Sequence, residues 1–335
     1  MELKHYVGID VSKLTLDFAI CSDGKIILQL QCENNKKGIV KAVKQLRQLP
    51  DFAMTTSLFC MEYTGIYNNH LLDYLLSSKS HIWLESALQI KQSQGMIRGK
   101  NDSIDATRIA DYAFTHKKKM RLWNPPRKEV KKLRSLITMR DRIVKSLKEL
   151  KVPVKENAAF VDKEFAQLES AIMKSSIASM EKTIEKIEKE INFLIKQDPT
   201  LKQLFDLMTS IPGIGPVVAV NMIVLTDEFK KFDDPNKFSC YAGVVPFADK
   251  SGTSIRGKWK VSHLANKKIK TLLHMAAMSA ITAKGELQVY YKRKIKEGKN
   301  KMSVINAIRN KLIQRIFAVI KRLTPYQKNL QIVVA

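Results

Sequence analysis

The chain has 335 residues, 45% of them hydrophobic, and carries 58 Lys and Arg against 32 Asp and Glu, a formal net charge of +26. That hydrophobic share excludes a mainly disordered protein, and 13 Gly with 10 Pro exclude collagen-like or Pro/Gly-rich low-complexity sequence. No stretch approaches the roughly 18 uninterrupted apolar residues of a membrane span, the N-terminus shows no signal-peptide pattern, and the four scattered cysteines form no CxxC pair, so a reduced, cytoplasmic protein without membrane contact is expected.

Tyr6–Asp10 predicts a short buried strand, and Leu14–Cys21, apolar at 14, 16, 18 and 20, an alternating one. Asp23-Gly24 signals a hairpin turn into a third strand over Lys25–Gln31. Helical spacing follows over Lys36–Leu46, a buried-type strand over Ser57–Glu62, a helix over Ile66–Leu76, a strand over His81–Glu85 and a helix over Ser103–Phe114. Three antiparallel strands followed by alternating helices and strands predict an α/β layer architecture of the ribonuclease H-like kind for residues 1–124.

Pro125-Pro126 marks a boundary, because the residue before a proline leaves the helical region. Beyond it Val130, Leu133, Ile137, Arg140, Val144 and Leu147 recur at alternating spacings of three and four, as do Ile177, Met180, Ile184, Ile187, Ile191 and Leu194. Both read as coiled-coil seams of an arm over 125–200, with a break expected at Val152-Pro153-Val154. The two helices either fold back on each other or meet their copies in a second subunit. A mainly helical region, 201–335, follows. In it Ile211-Pro212-Gly213-Ile214-Gly215 reads equally as a helix-hairpin-helix turn, offering free N–H groups to a phosphate, or as a plain connector. The Gly/Ser-rich stretch Ser251–Lys258 precedes helices over Leu264–Thr282 and Ser303–Leu323.

Charge is unevenly placed. Residues 1–115 hold 13 basic and 12 acidic side chains, 116–155 hold 15 and 3, 156–254 hold 11 and 15, and 255–322 hold 18 and 2. Two basic blocks separated by balanced ones suit a polyanion, through counterion release and field steering, so a nucleic acid is the expected partner. Arg134, Arg140, Arg142, Arg256, Lys258 and Lys260 are the basic candidates for its phosphates, with Gly213 and Gly215 at the turn. Few aromatics lie in these blocks, which favours phosphate contacts and duplex shape over base stacking.

Four carboxylates carry the candidate chemistry. Asp10 and Glu62 end the two buried-type strands, and Asp102 and Asp105 share a face at the start of a helix. Crowded carboxylates persist only when some are protonated or divalent cations neutralise them, and all-oxygen ligation favours Mg²⁺ or Mn²⁺. Paired ions of this kind stabilise the attacking and leaving oxygens of phosphoryl transfer.

Gly8-Ile9-Asp10-Val11-Ser12-Lys13, Met61-Glu62-Tyr63-Thr64-Gly65 with Tyr67, and Lys100-Asn101-Asp102-Ser103-Ile104-Asp105-Ala106 resemble the RuvC-like DEDD domain of the insertion sequence 110 family of bacterial transposases. Ile211–Gly215, Tyr241-Ala242-Gly243-Val244-Val245-Pro246 and Ser251-Gly252 through Arg256-Gly257 resemble that family's serine-bearing domain. The resemblance implies that Asp10, Glu62, Asp102 and Asp105 hold Mg²⁺ and that Ser251 forms a phosphoserine link to DNA. It also implies a homo-oligomer, dimer or tetramer, with sites composed from different subunits, and a structured bridge RNA that pairs with donor and target DNA. Spacing alone leaves Thr253 and Ser254 as rival nucleophiles. A hydrolytic nuclease or junction resolvase using only the four carboxylates is the competing activity, and a non-catalytic nucleic-acid scaffold is the competing class.

Overall fold

A computed structural model describes residues 3–93, 102–246, 250–251, 255–256, 261–262 and 264–327. Internal contacts divide the chain into two units, Met1–Pro125 and Pro126–Ala335.

The first unit is built on β1 (His5–Val11), β2 (Thr15–Ser22), β3 (Lys25–Glu33), α1 (Lys36–Leu46), β4 (Ser57–Glu62), α2 (Asn69–Ser77), β5 (His81–Glu85), α3 (Ala87–Ser93) and α4 (Asp102–Thr115). Its sheet runs β3-β2-β1-β4-β5, antiparallel across β1, β2 and β3 and parallel from β1 to β4 to β5. This mixed sheet agrees with the α/β layer architecture of the ribonuclease H-like kind expected for residues 1–124. The segment expected as a helix from Ile66 opens instead as a tight 3-10 turn over Gly65–Asn68 and becomes α-helical at Asn69; the short α3 has no counterpart in the sequence reading.

Alternation along the strands sorts side chains to two faces. Val7, Ile9, Val11, Leu16, Phe18, Ile20, Phe59 and Met61 pack under Ile39, Val43 and Leu46 of α1 and Leu71 and Leu75 of α2. Tyr6, Ala19, Cys21, Leu58, Cys60 and Trp83 face Ala106, Ile109, Ala110 and Ala113 of α4. Helix α4 lies unusually close to β1. A Cβ on Gly8 would stand 2.2 Å from the Ala110 nitrogen and 2.3 Å from the Ala106 carbonyl oxygen, so only glycine fits there. Trp123 packs against the α1 and α2 core, and its backbone N–H donates to the Ile82 carbonyl at 2.7 Å.

The second unit comprises α5 (Lys128–Phe160), α6 (Lys163–Gln197), α7 (Pro199–Thr209), α8 (Pro216–Thr226), α9 (Pro235–Tyr241), a two-stranded ribbon of β6 (Lys250–Ser251) and β7 (Ile255–Arg256), α10 (Lys267–Thr282), α11 (Glu286–Lys296) and α12 (Lys301–Arg322). The expected break at Val152-Pro153-Val154 does not occur: α5 runs through Pro153 to Phe160. Pro153 forfeits one backbone bond, on a stretch of α5 that is largely exposed. Contacts on both sides of it tie the helix to α6, with Lys151 paired to Glu181 and the Asn157 amide donating to Glu169 at 2.9 Å. Helices α5 and α6 therefore fold back on each other within one chain, turning at Val161 and Asp162. The Asp162 carboxylate caps α6 by accepting from the Glu164 N–H at 3.0 Å.

Arg127, the residue before α5, ties three segments together. Its guanidinium forks onto Asp198 at 2.8 and 3.0 Å and onto Glu228 at 2.5 and 3.0 Å. The Asp198 carboxyl is held below its usual range chiefly by Arg127. Burial pushes Glu228 up, yet the hydrogen bonds from Arg127 and Lys230 outweigh it and hold Glu228 low as well.

Candidate active site

Asp10 follows Tyr6 and Gly8 on the α4 face of β1, and Glu62 follows Leu58 and Cys60 on the same face of β4. Ile9 pairs with Met61 in the parallel register, so the next residues, Asp10 and Glu62, are strand neighbours. Asp105 sits on α4 immediately before Ala106, the residue that rests on Gly8. The three carboxylates converge electrostatically. Glu62 is pushed above the usual carboxylate range by burial first, then by the charges of Asp10 and Asp105. Asp105 is partly compensated by Arg108, whose Nη1 donates to its Oδ1 at 2.7 Å.

The register extends this acidic pair into a polar row across all five strands. Asp17 lies opposite Asp10, Gln31 opposite Asp17, and Glu85 beside Glu62. The Gln31 amide donates to the buried Asp17 at 2.9 Å, and the Tyr112 hydroxyl donates to Glu85 at 3.3 Å. Burial, then the Glu85 charge, pushes the Tyr112 phenol up to about 12. Sequence reading missed Asp17 and Glu85. Their signal was a carboxylate interrupting an apolar strand on the parity that faces α4.

Asp102 begins α4, and its side chain lies outside the described residues. Among the described residues no group of three or more His, Cys, Asp or Glu is spaced to hold a metal ion as it stands. The donor set nevertheless fits Mg²⁺ or Mn²⁺: the convergent groups are all carboxylates, and the charges of Asp10 and Asp105 act on Glu62.

In the second unit Ser251 ends β6 and pairs with Ile255, while Arg256 pairs with Lys250. The side chains of Ser251 and Arg256 lie outside the described residues, as do Lys258 and Lys260 entirely. The Gly213–Gly215 turn joins α7 to α8. Gly213, at φ +93°, is pressed against α10, where a Cβ would meet that of Ala280 at 2.7 Å, so packing explains this glycine. Gly215 caps α8 in open space. Arg134 donates to the Val224 carbonyl at 3.2 Å and Arg140 to Glu188 at 2.8 Å, so both serve internal contacts; Arg142 is exposed.

The first unit is thus a five-stranded mixed sheet of the ribonuclease H-like kind whose central strands end in Asp10 and Glu62, with Asp105 of α4 beside them. Residues 7–157 match the family model of the IS110 DEDD transposases, described as "Transposase", and residues 206–292 match "Transposase IS116/IS110/IS902 family". The "Pilin gene-inverting protein" of Moraxella lacunata and that of Moraxella bovis are each 26% identical over 333 residues, covering 98% of this chain and 99% of theirs. The "Insertion element IS110 uncharacterized 43.6 kDa protein" of Streptomyces coelicolor is 26% identical over 156 residues, 47% of this chain and 37% of its own. Among solved structures, T. thermophilus RuvC in complex with a Holliday junction substrate aligns at 12% identity and a TM-score of 0.27, over 36% of this chain and 99% of its own. The chain belongs to the IS110 family of transposases, enzymes of DNA cleavage and strand transfer. No helix among the described residues is long and apolar enough to cross a membrane.

Proposed function

We infer that this transposase cuts and rejoins DNA with Asp10, Glu62, Asp102 and Asp105 as the holders of Mg²⁺ or Mn²⁺ and Ser251 as nucleophile. The convergence of Asp10, Glu62 and Asp105 carries the reading, because like charges gathered at one end of a sheet cost stability unless a cation offsets them. A divalent ion bound there would supply charge neutralisation at the phosphate oxygens. The Ser251 hydroxyl oxygen forms a bond to phosphorus, the deoxyribose oxygen leaves and takes up a proton, and a phosphoserine–DNA link remains. Attack by a deoxyribose hydroxyl on that link returns the proton to Ser251 and reseals a strand, so no nucleotide cofactor is consumed.

Arg256, Lys258 and Lys260, close to Ser251 in sequence, and the exposed Arg142 are assigned to phosphates, and Gly215 to the open N-terminus of α8. The structured guide RNA, donor and target DNA pairing and the homo-oligomer belong to the same reading and rest on the family resemblance. The name of the Moraxella relatives, a gene-inverting protein, fits cutting with rejoining.

The test is a denaturing gel for a protein–DNA adduct, with Mg²⁺, the DNA flanking this gene and RNA transcribed from it. Wild type is expected to form the adduct, while Ser251→Ala and Asp10→Asn are expected to lose it. Cleavage that persists in Ser251→Ala would establish carboxylate-only hydrolysis instead.

A further inference from the structure

Five apolar side chains stand exposed at the carboxylate end of the first unit's sheet: Leu14 and Ile66 at 75%, Tyr63 at 57%, Ile104 at 44% and Tyr67 at 39%. Leu14 belongs to the turn after β1, Tyr63, Ile66 and Tyr67 to the segment after β4, and Ile104 directly precedes Asp105. Scattered exposed apolar residues need no explanation. These are gathered, and the backbone that carries them is held firmly.

The Asn34 amide donates both to the Ser12 carbonyl at 2.8 Å and to the Tyr67 carbonyl at 3.0 Å, clamping the two loops together. Asn68, fully buried, donates to the Glu62 carbonyl at 2.9 Å and accepts from the Thr64 N–H at 2.7 Å and its hydroxyl at 2.9 Å. The segment leaving Glu62 is thus stapled to the strand end, with Gly65 at φ +77° making its bend. A stapled loop displays Tyr63 and Ile66 at no further ordering cost on binding.

Phosphate contacts and duplex shape alone, the mode expected from the sparse aromatics of the basic blocks, leave this rim without a use. Its occupant has to be flat, apolar and attached to the phosphate that the neighbouring carboxylates address, and it meets the exposed Lys13 beside Leu14. A nucleobase meets each condition, but only once unstacked, because inside an intact duplex its face is covered.

We propose that Leu14, Tyr63, Ile66 and Tyr67 form a seat for a base unstacked next to the phosphate served by Asp10, Glu62 and Asp105, so that the enzyme engages strands that are locally unpaired. The proposal rests on the DNA-cutting reading above. It is tested with the full-length protein in EDTA by fluorescence anisotropy, comparing a labelled duplex that carries a short central mismatch bubble with the same duplex fully paired. Wild type is expected to bind the bubble about tenfold more tightly. Tyr63→Ala/Ile66→Ala is expected to lower bubble affinity to that of the duplex, and Tyr63→Phe, which keeps the ring, to retain the preference. If the double variant lacks a thermal transition, the single Ile66→Ser carries the test. Equal affinities in wild type, or a preference that survives the substitutions, would overturn the proposal. A changed sedimentation of the DNA-free double variant would also overturn it, assigning the rim to a second copy of the chain. Binding to neither DNA, with or without RNA transcribed from the DNA flanking this gene, would overturn the DNA-cutting reading itself.

Discussion

Adding one methyl group at Gly8 tests how the site is seated. The new Cβ would stand 2.2 Å from the Ala110 nitrogen and 2.3 Å from the Ala106 oxygen, both backbone atoms of α4. Ordinary carbon contacts lie near about 3.5 Å, so α4 has to rise from β1 by roughly 1.2 Å. Neither neighbour can turn aside, and both carry side chains with no volume to give up. Overpacking of this kind costs about 1–3 kcal/mol, and we expect Gly8→Ala to lose about 2 kcal/mol in urea denaturation while still folding. Asp105 rides on the displaced helix, and a misplacement near 1 Å costs on the order of 100-fold in rate. DNA cleavage in Mg²⁺ is therefore expected to fall by about that factor, beyond what the folded fraction explains. A Gly8→Ala protein with wild-type stability and wild-type cleavage would refute this account of how α4 is held.

Glu62, raised by burial and by the charges of Asp10 and Asp105, binds its proton more tightly in the folded chain than in the unfolded one. Its stabilising contribution is present at low pH and is lost as pH rises through the folded pKa. Glu62→Gln is expected to melt above wild type near pH 7 without metal, the gap closing toward about pH 4, while the DNA reaction is abolished; a gap independent of pH would refute the assignment. Arg127→Ala leaves the buried Glu228 with only Lys230, and urea denaturation is expected to show a loss of about 3 kcal/mol. The same two carboxylates, Asp198 and Glu228, are held low in the folded state, so wild type should lose stability as pH falls through their folded pKa values, and Arg127→Ala should lose less. Gly213→Ala, with positive φ and a contact at 2.7 Å, is expected to cost about 1–3 kcal/mol, whereas Gly215→Ala, in open space, is expected to change stability by less than about 0.5 kcal/mol; paired thermal melts check both.

The sheet of the first unit was legible because each strand announces itself locally. Alternation over Leu14–Cys21, the Asp23-Gly24 turn and apolar runs ending in Asp10 and Glu62 all act within a few residues, and the structure follows them closely. Asp17 and Glu85 were not legible as members of the polar row, because register between strands is a long-range property that no single strand encodes. Pro153 misled for the converse reason. A local rule predicts a break, and packing along α6 overrides it. Arg127 was hidden in a basic block: its partners Asp198 and Glu228 lie 71 and 101 residues away. The Gly213–Gly215 turn reads equally as a phosphate-binding turn or a connector, because the packing of Gly213 against α10, 63 or more residues further along the chain, leaves no local trace, whereas Gly215 is open.

The paired helices α5 and α6 have a further consequence. Among the described residues, no side chain of α5 past Ile143 and none of α6 before Ile187 joins the core of the second unit. The outer turns answer only to each other, so their length is decoupled from everything else the fold has to satisfy. A seven-residue block inserted into both helices at matching depth would preserve the facing seams and lengthen the pair by about 10 Å, whereas an unmatched insertion would rotate one seam away from the other. Reach is thereby a dimension in which this chain can be re-engineered, or can drift, without disturbing the globular parts of either unit.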